Sequence, residues 1–164
     1  MKRHNVFELG AIVLGLVLLP SSAISQQKSL KDQIVGTWLY TSVYDQYEDG
    51  KKIHTFGTAI KGQTTYGGDG RFTQVLIGEP RSELKTKDPR RPDAFVIAFY
   101  GTYAVNEADK SVSYRIEGAG NSIRAGAALK SAITISGDTL KLLGSSRKDQ
   151  IGTFSPHTEL RRAK

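Results

Sequence analysis

The sequence predicts an all-β domain of eight or nine short strands, built as a sandwich or an up-and-down antiparallel barrel. Three observations predict it. From Gly36 onward the apolar residues recur with a period of two, turn-forming residues break the chain at short intervals, and only one brief segment has helical spacing.

The N-terminus is set apart from this domain. Lys2, Arg3 and His4 give a positive start, residues 9–19 form an apolar run of 11 residues, and Pro20, Ser21 and Ser22 end it. Ala23 and Ser25 offer the small side chains that a signal peptidase accepts, so residues 1–25 read as a signal peptide cleaved before Gln26, leaving a domain of residues 26–164. A run of that length is short for a bilayer core about 30 Å thick, which argues against a membrane anchor. A periplasmic or secreted location is expected, with no stable membrane insertion after cleavage.

The chain has 23 basic and 16 acidic residues, a net charge of +7 that falls to +6 once Lys2, Arg3 and Glu8 are removed. Basic side chains are scattered through the sequence. The densest stretch, residues 78–93, mixes five of them with four acidic ones, which reads as a solvated loop and predicts no nucleic-acid partner. There is no cysteine, so no disulfide or lipid-modified cysteine can staple the domain, and it relies on its apolar core.

Element by element, Ser29 begins a short helix: its hydroxyl suits the Asp32 amide, the Asp32 carboxylate suits the Ser29 amide, and Leu30 and Ile34 form one apolar edge before Gly36. A strand follows in which Trp38, Tyr40, Ser42 and Tyr44 share one face, with Leu39, Thr41 and Val43 on the other. Further strands are read at 53–56, 63–66, 71–77, 100–106, 111–117, 129–136, 139–144 and 153–161. The clearest is 111–117, where Val112, Tyr114 and Ile116 alternate with polar residues. Turns are marked by Gly67, Gly68, Asp69 and Gly70, by residues 106–110, and by Gly137 with Asp138. Residues 94–100, all nonpolar and with Phe95 and Phe99 one helical turn apart, read as a short lid helix capped by Asp93; residues 118–128, rich in Gly and Ala, read as a mobile loop.

Four segments then suggest a family. Gly36-Thr37-Trp38 heads the first strand, and Tyr66-Gly67-Gly68-Asp69-Gly70-Arg71-Phe72, Phe99-Tyr100-Gly101-Thr102-Tyr103 and Ile135-Ser136-Gly137-Asp138-Thr139-Leu140 follow in order. Together they resemble the bacterial lipocalin-like domain family over residues 30–162. The resemblance implies a lipocalin-type barrel with a closed base, an open mouth and room for a small apolar molecule. It also implies that Trp38 plugs the base beneath Arg162 or Arg161, and it departs from the family pattern at Leu160, where a Trp is common.

Candidate chemistry is sparse. His54 and His157 lack convergent partners and read as structural or surface residues, and the glycines around Asp69 read as a hairpin turn with no phosphate-binding Lys after it. No cofactor or metal is expected. Alternation and the family register together turn Tyr40, Tyr44, Tyr66, Phe72, Gln74, Tyr103 and Tyr114 inward, and Phe95 and Phe99 onto a lid. These define a pocket that is mostly apolar, with a few hydroxyls and one amide to orient a ligand. The expected function is binding of a small hydrophobic or amphipathic molecule inside the barrel. The alternatives are an isomerase, cyclase or hydrolase acting on an apolar metabolite in the same cavity, and a filled barrel that works through its surface.

Overall fold

The computed structural model describes residues 28–85, 88, 93–120 and 126–164; the signal-peptide reading of residues 1–25, and Pro89 and Pro92 of the charged loop, lie outside them. Helix α1 (Leu30–Ile34) leads into β1 (Gly36–Tyr47), β2 (Lys52–Ile53), β3 (Lys61–Tyr66), β4 (Arg71–Pro80), a 3-10 turn (Ser82–Leu84), β5 (Ala94–Asn106), β6 (Ser111–Ala119), β7 (Ala128–Ser136), β8 (Thr139–Gly144), β9 (Arg147–Lys148) and β10 (Thr153–Arg162). Strands β1, β3, β4, β5, β6, β7, β8 and β10 pair antiparallel in that order, and β1 pairs back onto β10. The result is a closed, up-and-down barrel of eight strands, with β2 and β9 as two-residue additions. Closure leaves no long unpaired edge in the wall.

The two ends differ in their connections. At one end, the base, sit α1 and the tight turns after β3, β5 and β7, whereas all the long connections gather at the other end, the mouth. The turn signals read from the sequence are those of the base. Gly70 at φ 83° and Gly137 at φ 55° adopt the left-handed backbone that such turns demand.

α1 is fixed by two caps. Ser29 Oγ accepts from the Asp32 amide at 3.0 Å, and Glu107 from the β5–β6 turn accepts from the Leu30 and Lys31 amides at 3.1 and 2.9 Å. The expected return bond from the Ser29 amide to Asp32 is replaced by one from the Ser29 hydroxyl, 2.8 Å from Asp32 Oδ2.

Several sequence expectations are corrected. Residues 94–100 form no lid helix; they are the first half of β5, with Val96, Ile97, Ala98 and Phe99 paired to Ile77, Leu76, Val75 and Gln74 of β4. The run is nonpolar on both faces because the outside of the wall is apolar here too: Ile77, Val96 and Tyr100 are exposed. With no alternation to read, its β-branched and aromatic content was the better guide. The strand expected at 53–56 is shorter and lies at Lys52–Ile53, and β9 had no signal in the sequence. Of the Gly-rich segment 118–128, Gly118 and Ala119 finish β6 and Ala128 begins β7, while residues 121–125 lie outside the described residues.

Candidate functional site: a cavity at the mouth of the barrel

The base is closed by Trp38. Its ring is fully buried, its Nε1–H donates to the Ile34 carbonyl at 2.7 Å, and the Arg162 guanidinium lies 4.1 Å from the ring centroid. Arg162 also donates to the carbonyls of Val35 and Gln33, at 3.0 and 2.6 Å, so one side chain ties the last strand to the C-terminal end of α1. Register assigns this position to Arg162 and sets Arg161 opposite Leu39. Leu160, opposite Tyr40 and Leu140, is fully buried.

Above the base the tyrosines form a packed layer. Tyr66 and Tyr114 share a hydroxyl hydrogen bond of 2.7 Å, Tyr40 and Thr64 share one of 2.8 Å, and Tyr103 donates to the Gly67 carbonyl at 2.7 Å. Phe72 lies edge-on to both Phe99 and Tyr114. Burial, the first cause in each case, pushes the hydroxyls of Tyr40, Tyr66, Tyr103 and Tyr114 above the ordinary tyrosine range. All four are therefore protonated at neutral pH, and none is set up to act as a general base.

Beyond that layer the barrel is not filled. A cavity of about 320 Å³ opens toward the mouth, with Tyr40, Phe99 and Tyr114 at its floor and Val43, Leu76, Ile97, Leu129, Leu142 and Phe154 among its walls. Of the side chains expected to contact a ligand, Tyr40, Gln74, Phe99 and Tyr114 border it; Tyr66, Phe72 and Tyr103 belong to the packed layer beneath. The Gln74 side chain hydrogen-bonds to no described residue, so its amide is available to the cavity.

Tyr44 and Phe95 are corrections. β1 carries a bulge at Thr41: Tyr40 pairs with Leu160 but Ser42 pairs with Glu159, so one residue is looped out and the facing of the rest of the strand reverses. Val43 and Asp45 thus line the cavity, and Tyr44 turns to the outside, where it stacks on His157 at 4.9 Å with His54 and Lys52 beside it. Burial and the nearby Lys52 hold the His157 imidazole below its usual range. Phe95 sits 45% exposed at the start of β5, under the Arg81 guanidinium at 4.5 Å, and does not border the cavity.

The connection between β2 and β3 also contributes to the cavity wall. Thr55 and Phe56 border the cavity, and the backbone around them is held by the end of β4. Glu79 Oε1 accepts from the Thr58 amide and hydroxyl at 3.0 and 3.1 Å and from the Ala59 amide at 2.5 Å. The Glu79 amide donates to the Phe56 carbonyl at 2.8 Å, and Arg81 donates to the Thr55 carbonyl at 2.7 Å. Gly57, at φ 83°, packs directly against the Glu79 carboxylate, so a Cβ there would displace that side chain. The donors from Ala59 and Thr58 hold the Glu79 carboxyl below the usual carboxylate range.

Among the described residues no three His, Cys, Asp or Glu side chains gather as a metal site, and no helix is long and apolar enough to cross a membrane. No known protein-family model matches the chain, and no curated protein matches it significantly.

Proposed function

We propose that this chain is an exported, lipocalin-like binding protein that holds a small hydrophobic or amphipathic molecule in the cavity at the barrel mouth. The observation that carries this reading is the combination of apolar walls with a Gln74 amide that no described residue engages, in a cavity of about 320 Å³. That volume lies at the lower end of the range for ligand pockets, about 300–1,000 Å³. Export rests on the apolar run at 9–19 followed by Ala23 and Ser25, and implies a mature protein starting at Gln26 in the periplasm or outside the cell.

Native mass spectrometry of the protein recovered from its own periplasm or medium is expected to show a retained small molecule that denaturation releases. Leu142→Trp, which puts a large ring into the half-buried wall, should abolish binding of a lipophilic fluorescent dye while the barrel still unfolds cooperatively. Dye affinity untouched by this filling would overturn the reading.

A further inference from the structure

Three charged residues border the cavity, Asp45, Lys130 and Arg147, of which Lys130 pairs with Ser113 and turns its side chain to the outer face. Two of them are engaged. Lys130 Nζ lies 2.7 Å from Asp109 Oδ2, and Asp45 accepts from the Thr55 hydroxyl at 3.1 Å. The Arg147 guanidinium, exposed at the rim, forms no hydrogen bond or ion pair with any described residue.

Register fixes where Arg147 stands. It pairs with Phe154 across β9 and β10, and directly paired residues share a face of the sheet; Phe154 lines the cavity, so Arg147 shares the inner side at the lip. Asp45 lies on the other side of β10, opposite Pro156, two residues further from the lip and about 7 Å deeper along the strand. From lip to floor the wall therefore presents a free guanidinium, then a carboxylate, then apolar and aromatic side chains.

That order selects a ligand. A guanidinium offers a planar fork of N–H donors matched to a carboxylate or sulfate, and it is less strongly hydrated than an ammonium group. The Asp45 charge below would repel an anion from the interior and keep it at the lip. We propose that the cavity takes a single-chain amphiphile with an anionic head, the head held at the lip by Arg147 and the chain running down to Tyr40 and Phe99. The inference rests on the binding reading above and adds the head-group chemistry to it.

The test compares dodecanoate, dodecan-1-ol, dodecyltrimethylammonium and acetate by calorimetry on the folded mature protein, the ionic amphiphiles below their critical micelle concentrations and the alcohol below its solubility limit. Dodecanoate should bind about tenfold more tightly than dodecan-1-ol, as a charge-assisted contact would give. Dodecyltrimethylammonium should bind no better than the alcohol, and acetate should not bind measurably. Arg147→Gln should erase the preference for dodecanoate over the alcohol, Arg147→Lys should keep part of it, and Asp45→Asn should strengthen dodecanoate binding. Equal affinities of dodecanoate and dodecan-1-ol, or a preference that survives in Arg147→Gln, would overturn the head-group assignment and leave the cavity reading standing. Binding of none of the three chains would overturn both.

Discussion

The base and the mouth of this barrel are made from the same strands but solve different problems. At the base every buried polar group is answered: the Trp38 indole by Ile34, the Arg162 guanidinium by two carbonyls and a ring, the Tyr66 and Tyr114 hydroxyls by each other. At the mouth the half-buried Gln74 amide and the exposed Arg147 guanidinium find no partner among the described residues and are open to solvent, and the space between the walls is open. Buried polar groups are costly unless hydrogen-bonded, and among the described residues none lacks a partner; at the base these bonds join the strands, α1 and the tyrosine layer into one packed end. Polar groups without partners beside an apolar cavity mark the end that can receive something else. The difference also tracks the connections, with tight turns where the core is dense and long loops where it is open.

The comparison predicts unequal effects of mutation. Trp38→Ala, at the base, should cost roughly 3–5 kcal/mol in chemical denaturation, because it empties a fully buried site and removes the surface on which Arg162 lies. A loss below about 1 kcal/mol would mean that the base is not the stabilising end. Tyr66→Phe, one layer up, should cost roughly 1–3 kcal/mol by leaving the buried Tyr114 hydroxyl without its partner, and should barely change dye affinity, since Tyr66 does not border the cavity.

How far each end was legible in the sequence follows the same division. The base announces itself through Gly36-Thr37-Trp38, through glycine-bearing turns, and through clean alternation in residues 111–117, because tight turns and half-buried strands impose strict residue requirements. The mouth is less legible for specific reasons. The bulge at Thr41 reverses the facing of β1 without any change in composition, so strict alternation points Tyr44 inward, whereas Val43 and Asp45 line the cavity. Residues 94–100 carry no period because both faces of that strand are apolar. Arg147 and Phe56 sit on a two-residue strand and a loop, where side-chain direction is set by long-range pairing and by Glu79, neither of which leaves a local pattern.

The smallest expected effect on stability, and the sharpest on access, belongs to Glu79. Its carboxylate gathers three donors from Thr58 and Ala59, fixing the loop whose Phe56 borders the cavity. Those donors bind the charged form, so the folded-state pKa is lowered from its ordinary value of 4.5. With the folded value depressed, the stabilisation is complete above the ordinary value and is lost as pH falls through the lowered one, so at neutral pH the loop is fully latched. All three donors converge on one oxygen, so Glu79→Gln keeps an acceptor there but removes the charge that strengthens each bond. At neutral pH it should speed hydrogen exchange at the Thr58 and Ala59 amides several-fold over wild type, and speed dye association, with the thermal midpoint moved by only a few degrees because the loop is not part of the core. In wild type the same release, measured against the intrinsic exchange rate at each pH, should appear only under acid conditions, and the variant should show no such acid step. Exchange unaltered by Glu79→Gln would mean that Phe56 is held by its packing alone, whereas a collapse of the thermal midpoint would mean that mouth and base are one cooperative unit and not two regions of different purpose.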